Sequence, residues 1–197
     1  MIGIIEYGAG NLFSLCCALD RLKIPYGFVK NESEMDLYSK YIIPGVGHAG
    51  EAMNKLTSSG LVQSLIETKK KVLGICVGMQ LLTQFSEEGS SGLTGIFPIK
   101  TLRFSTNNGL KVPHMGWNQV NQIRPNPIFL GINQNSYFYF VHSYYIELNP
   151  NFAIGETEYG NSFSSMINFQ NFWGVQFHPE KSGTDGEKIL LNFNDLY

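Results

Sequence analysis

Val72-Leu73-Gly74-Ile75-Cys76-Val77-Gly78-Met79-Gln80 is the stretch on which the fold turns. Residues 72–75 form a short, wholly apolar run, the pattern of a strand buried on both faces, and residues 77–85 read as the helix that follows it. Between them stands Cys76, with a glycine two residues to either side. A nucleophile on so tight a strand-to-helix turn is held at strained backbone angles, and its neighbours at that spacing must be small to avoid a clash. The N–H dipoles that open the following helix lower a thiol pKa and can donate to a developing oxyanion. The plain alternative is a core cysteine beside turn glycines, and on residues 74–78 alone the two readings are evenly matched.

Outward from this turn, the first half of the chain repeats the same alternation. Residues 2–5 are an apolar strand, followed by a turn at Gly8-Ala9-Gly10, and Leu12, Leu15, Cys16, Leu19 and Leu22 then recur at helical spacing. Pro25 opens an extended stretch to Val29, Tyr41-Ile42-Ile43 is a third strand ending at Pro44-Gly45, and residues 50–69 read as helix with a break at Ser58-Ser59-Gly60. Strand–helix alternation of this kind predicts a parallel sheet covered on both faces. After a Gly/Ser-rich loop at residues 89–95, short β-prone runs follow at 99–104, 117–123, 137–141, 144–147, 153–157, 163–169 and 172–176. These add antiparallel strands and hairpins, and a final helix occupies about residues 184–194. The expected fold class is therefore α/β: a central mixed, mainly parallel sheet with helices on both faces, and Cys76 at the C-terminal end of a central strand. No linker, repeat or low-complexity tract divides the chain, so residues 1–197 are expected to form a single domain.

Composition narrows the function. With 14 basic against 16 acidic residues, the chain has no global field for polyanions, and Lys69-Lys70-Lys71 is too short a basic run to bind nucleic acid. Three cysteines, two of them adjacent (Cys16 and Cys17), make neither a disulfide framework nor a paired metal motif, which points to a reducing, cytoplasmic setting and to no metal. The start of the chain lacks a basic signal-peptide region, and no stretch approaches the ~18 apolar residues of a membrane span. A phosphate loop of the form Gly-x-x-x-x-Gly-Lys-Ser/Thr is absent, and Phe13 stands where a dinucleotide fingerprint begun at Gly8 needs its third glycine. No cofactor is expected.

A nucleophilic thiol needs a base, and the chain offers His48, His114, His142 and His178. His178 has the informative setting, Phe177-His178-Pro179-Glu180. Pro179 disfavours the helical region for His178, so the segment is expected to be extended, with residues 178 and 180 on one side. Glu180 can then accept the imidazole N–H, giving a base oriented by a carboxylate. Together with the turn at Cys76, this favours catalysis over a solvated turn histidine. His114 and His142 read as structural.

These residues resemble those of the class I (triad-type) glutamine amidotransferases. The match rests on Gly74-Ile75-Cys76-Val77-Gly78-Met79-Gln80 and His178-Pro179-Glu180, and the implied fold is that family's α/β sandwich. Further matches are most similar to the glutaminase subunits that serve histidine biosynthesis. They are Tyr7-Gly8-Ala9-Gly10-Asn11-Leu12, Pro44-Gly45-Val46-Gly47, Val112-Pro113-His114-Met115-Gly116-Trp117-Asn118, Tyr139-Phe140-Val141-His142-Ser143-Tyr144 and Gly174 through Ser182. Their order along the whole chain makes the set specific.

The resemblance implies that Cys76 attacks the side-chain amide of L-glutamine to give a thioester and ammonia, with His178 moving protons and Glu180 orienting it. It implies an oxyanion held by the N–H groups of Val46 and Val77, and a glutamine site built from Gly47, Gln80, Ser143 and Tyr144. It also implies a partner, a (β/α)8-barrel cyclase forming a heterodimer with an internal ammonia passage, with Asn11, Trp117, Asn118, Tyr139 and Lys181 facing it. The alternative is a paralogous glutaminase that feeds a surface-sugar amidotransferase. Taken without the resemblance, Trp117 and Tyr139 read as core and Lys181 as a solvated lysine. At position 48 the family more often has an apolar or aromatic residue, so His48 departs from its pattern near the oxyanion loop.

Overall fold

The computed structural model describes residues 1–8, 12–106 and 109–196. Ile2–Ile5 (β1) is buried at every position, as a strand covered on both faces must be. It leads into Leu12–Arg21 (α1), whose Leu15, Ala18 and Leu19 are buried at helical spacing. Tyr26–Val29 (β2), Lys40–Ile43 (β3), Ala49–Ser58 (α2), Val62–Glu67 (α3) and Lys71–Ile75 (β4) follow, with the expected helix break between α2 and α3. Val77–Gln80 (α4) is a single turn of helix, and Thr83–Ser86 (β5) and Ser91–Gly92 (β6) come next. The remaining elements are Phe97–Arg103 (β7), His114–Gln122 (β8), Ser136–His142 (β9), Tyr144–Glu147 (β10), Ala153–Tyr159 (β11), Asn161–Phe169 (β12), Phe172–Val175 (β13) and Gly183–Asp195 (α5).

The helix expected over residues 77–85 thus stops at Gln80. Thr83 Oγ1 donates to the Gln80 carbonyl at 2.8 Å, ending the helix, and residues 83–86 pair in parallel with β7 instead. A long-range ladder overrides the local apolar spacing.

Strands run in the order β2-β1-β3-β4-β13-β12-β10-β7-β5-β6, and the neighbours from β2 to β13 are all parallel. Beyond β13 the sheet turns antiparallel through β12, β10 and β7. Strand β11 pairs with β12 and carries β8, which pairs with β9 as a ribbon. Helices α1 and α5 are joined by an Arg21–Glu187 ion pair at 3.0 Å and both pack on the turn Pro179–Lys181, whereas α2 packs on α4. The chain reverses its lateral direction at β1, with β2 on one side and β3 on the other, and ligand crevices in open α/β sheets form at the carboxyl ends of strands beside such a reversal.

Register does the positioning. In the β4–β13 pair, Gly74 lies opposite Gly174 and Ile75 opposite Val175. The residues that leave the two strands, Cys76 and Gln176, are therefore neighbours at one edge, with His178 two residues further on. The Cys76 N–H donates to the Val175 carbonyl at 2.8 Å and locks this register.

Candidate active site

Cys76 sits at φ 54° and ψ −112°, a left-handed conformation that costs a non-glycine residue about 1–3 kcal/mol. The strain is held by backbone packing. A Cβ placed on Gly78 would lie 1.9 Å from the Ile43 carbonyl oxygen, and one on Gly74 would lie 2.5 Å from the Gly78 carbonyl oxygen. Only glycine lets β3, β4 and α4 approach this closely. The turn presents the Cys76 sulfur to a pocket of about 290 Å³ while leaving the residue 4% exposed. Val77 opens α4, and the first N–H groups of a helix have no partner within it.

His178 is extended at φ −99° and ψ 97°, as Pro179 requires. The segment after it is not extended: Pro179–Lys181 is a 3-10 turn. Glu180 still meets the imidazole, its Oε1 lying 2.8 Å from His178 Nδ1, but the turn rather than strand alternation brings it there. The His178 N–H donates to the Tyr139 carbonyl at 2.9 Å, and Ser182 Oγ donates to the His178 carbonyl at 2.6 Å and accepts the Tyr139 N–H at 2.9 Å. His178 is thereby stapled to β9. Its Nε2 and the second Glu180 oxygen are buried with no hydrogen-bond partner, so Nε2 is free for a reacting group. Burial works against the imidazolium, but the facing Cys76 sulfur and the Glu180 carboxylate overrule it and raise the His178 pKa to about 10.

Val46 and Gly47, on the loop after β3, line the same pocket, as do Val77, Gln80, Ser143 and Tyr144. Gly47 has φ +87° and open space around it. The base of the loop is pinned by Tyr7, whose buried hydroxyl donates to the Pro44 carbonyl at 2.7 Å; burial, with Cys76 nearby, pushes its pKa up. His48, the departure from the family pattern, caps α2, its Nδ1 accepting from the N–H of Gly50 at 3.1 Å and of Glu51 at 3.4 Å. Part of the expected glutamine site is already engaged. Gln80 Nε2 donates to the Tyr144 carbonyl at 3.2 Å and to Gln176 Oε1 at 3.1 Å, so this amide builds the wall of the pocket.

Trp117 is 56% exposed and not core. It lies opposite Tyr139 in the β8–β9 register, the rings meeting edge to face at 6.2 Å, and exposed Met115 and Tyr137 extend the patch. Asn118 is half-buried and Lys181 exposed beside the His178–Glu180 turn. Asn11 lies outside the described residues. Among the described residues there is no cluster fit to hold a metal ion, and no helix is long and apolar enough to cross a membrane.

Residues 4–195 match the family profile of Glutamine amidotransferase class-I. The chain belongs to that family. It is 44% identical to the imidazole glycerol phosphate synthase subunit HisH of Methanocaldococcus jannaschii over 100% of both chains. It is 42% identical to the subunit of the same name from Maridesulfovibrio salexigens, over 98% of this chain and 95% of that one. Solved structures agree on the fold. A glutamine amidotransferase from Thermotoga maritima superposes with a TM-score of 0.68 at 17% identity, covering 98% of this chain and 82% of that one. PurLQS from the same organism gives 0.71 at 16% identity, covering 98% and 96%.

Two residues at or beside this pocket were not singled out by the sequence reading. Gln176, fully buried, has its Nε2 3.8 Å from Cys76 Sγ, and its signal was an extended Gln-x-His in which residues 176 and 178 share a side. Among the described residues Glu88 is the one carboxylate lining the pocket, and its Oε2 accepts the Ala49 N–H at 2.6 Å. It stands just before the Gly/Ser-rich loop of residues 89–95, with no pattern to single it out.

Proposed function

We propose that this chain is the glutaminase subunit of an imidazole glycerol phosphate synthase. It would hydrolyse L-glutamine through a thioester on Cys76 and hand the ammonia to a (β/α)8-barrel cyclase in a heterodimer. The observation that carries the reading is a buried thiol and a carboxylate-braced imidazole in one pocket, on a chain 44% identical throughout its length to a subunit of that synthase.

In the first half-reaction Cys76 gives its proton to His178 Nε2 as its sulfur attacks the carboxamide carbon and pushes the carbonyl electrons onto oxygen. We assign that oxyanion to the N–H groups of Val77 and Val46. Collapse expels the amine, which leaves as ammonia after taking a proton from His178 Nε2. A water then gives a proton to His178 and attacks the thioester, and His178 passes that proton to the departing sulfur, releasing glutamate and the free thiol. Glu88, Gly47, Gln80, Ser143 and Tyr144 hold the substrate in this reading, with Glu88 pairing the glutamine ammonium. Ammonia released to neutral water is protonated and loses its nucleophilicity, so direct transfer suits the chemistry. The exposed Met115, Trp117 and Tyr137, with Asn118, Tyr139 and Lys181, form the proposed docking face. Three free cysteines, one of them the nucleophile, suit the cytoplasm, and we take residues 1–197 as one domain.

Glu180→Gln is expected to lower kcat about 10²-fold, because the imidazole loses the charge that orients it and favours its cation. A histidine 15N titration should show the His178 pKa falling from about 10. The linked stability has a definite sign. With the folded pKa above the ordinary 6.5, the pair stabilises the fold fully below that pH and loses its contribution as pH rises through about 10. Glu180→Gln should flatten this dependence in thermal melts.

The function itself is tested by mixing the chain with a histidine-pathway cyclase and assaying glutamine hydrolysis with the cyclase's ligand present. Strong stimulation is expected. Hydrolysis that ignores this partner would sink the histidine-pathway reading and leave the surface-sugar paralogue.

A further inference from the structure

His114 and His142 lie outside the triad, 3% and 6% exposed, in the core beneath the β8–β9 ribbon. His142 Nδ1 lies 2.7 Å from the Tyr144 carbonyl, His142 Nε2 lies 2.9 Å from His114 Nδ1, and His114 Nε2 lies 3.2 Å from Asn118 Nδ2. Donor chemistry then fixes every proton. A carbonyl only accepts, so His142 carries its hydrogen on Nδ1 and accepts at Nε2. His114 must therefore donate from Nδ1 and accept at Nε2. At the far end Asn118 Oδ1 accepts the Gln119 N–H at 2.8 Å, which turns its amide nitrogen toward His114 and toward the Glu158 carbonyl at 3.0 Å. All four ring nitrogens are satisfied only when both rings are neutral Nδ1–H tautomers.

The surroundings hold that state. His114 is stacked between Tyr159 at 4.0 Å and Phe140 at 4.9 Å, leaving only its ring plane for hydrogen bonds. Burial lowers the pKa of His114 to about 4 and of His142 to about 3, so neither ring takes a second proton at neutral pH. The Tyr144 carbonyl at the other end uses both lone pairs, accepting also from Gln80 Nε2 at 3.2 Å.

We propose that Asn118, His114 and His142 form a directional hydrogen-bond relay that positions the Ser143 and Tyr144 wall of the glutamine pocket from the β8–β9 ribbon. It deepens the glutaminase reading and rests on it for its kinetic consequence. These are positioning residues: they reach the substrate through the Tyr144 carbonyl and the Gln80 amide. The surface end of the relay, Asn118, follows Trp117 on the ribbon proposed for docking, so the pocket wall and the docking face share one rigid connection.

The test uses the full chain with the histidine-pathway cyclase and measures kcat and KM for glutamine hydrolysis, with histidine tautomers read by 15N NMR on the chain alone. In the unmodified chain at pH 7 both rings should be neutral Nδ1–H tautomers. His114→Phe keeps the aromatic stack but can neither donate nor accept. It should raise the glutamine KM about tenfold, with a smaller change in kcat, and leave His142 an Nδ1–H tautomer whose Nε2 has lost its donor, seen as a shift of that nitrogen's 15N signal. His114→Gln places an amide N–H toward His142 and an amide oxygen toward Asn118, and should restore KM to within about twofold. A folded His114→Phe complex with unchanged KM, or either ring found cationic or as the Nε2–H tautomer, would overturn the relay. Should His114→Phe fail to fold, Asn118→Asp serves, since it sets an acceptor against His114 Nε2. It should switch the His114 tautomer or protonate the ring and raise KM, and no change in either would refute the proposal. Failure of the unmodified complex to hydrolyse glutamine would instead count against the glutaminase reading, while the tautomers would still decide the relay.

Discussion

Cys76→Ala is expected to lower glutamine-dependent synthesis by the assembled complex about 10⁴-fold or more, while synthesis supported by added ammonium salt survives. The magnitude follows from removing the group proposed to form the covalent intermediate, since losing the nucleophile of a triad costs about as much as losing the whole unit. The selectivity follows from geometry. Cys76 is buried 4.0 Å from the Val141 carbonyl and 3.8 Å from Gln176 Nε2, against a pocket lined by this chain's own Val46, Gln80, Tyr144 and His178. Alanine removes the sulfur and keeps the Cβ, so the strained turn is undisturbed and partner docking should be unchanged. Loss of both activities would place Cys76 in the structure of the complex and not in its chemistry. Retention of both would leave this domain as a binding subunit.

Gly78→Ala is the substitution expected to cost most in stability. The added methyl would lie 1.9 Å from the Ile43 carbonyl oxygen, a backbone atom that cannot rotate away. Relief requires β3 or α4 to move, and both are pinned, β3 between β1 and β4 and α4 on β4. Overpacking against an immobile neighbour costs about 3 kcal/mol or more. For a chain of this size that lowers Tm by roughly 10 °C, measurable by calorimetry of the isolated chain. Any variant that still folds should also be a poor glutaminase, because the same movement displaces the 44–47 loop from Cys76. An unchanged Tm would mean that the close approach of Gly78 to Ile43 is not what holds the turn.

The elbow was legible because its cause is local: a cysteine held at positive φ needs small neighbours, and Gly74 and Gly78 announce them. The parallel core was legible for a related reason, since residues 2–5 and 72–75 are apolar on both faces and can only be strands covered on both sides. His178 and Glu180 were legible as a pair, though the 3-10 turn that joins them was not, because Pro179 constrains the residue before it more firmly than those after it. The end of α4 was hidden. Residues 81–86 keep an apolar spacing compatible with helix, and only pairing with β7, distant in sequence, makes residues 83–86 a strand. The ribbon face was hidden for the opposite reason. Alternation in residues 115–119 and 137–141 shows two faces but not which one is covered, so Trp117 and Tyr139 looked like core until Tyr159, Phe163 and Phe177 were found packed on the other side, against His114, Phe140 and Phe138. The relay was out of reach, since a tautomer is decided by partners that meet only in the folded chain.

The central claim is that Cys76 carries the γ-glutamyl group during turnover. The direct measurement is to quench the complex with acid while it hydrolyses isotopically labelled glutamine, digest it, and weigh the peptide that contains Cys76. The account requires one labelled glutamyl group on the Cys76 sulfur, removed by hydroxylamine and absent from Cys76→Ala. Full turnover with no adduct on this peptide, or with the label on another residue, would contradict it.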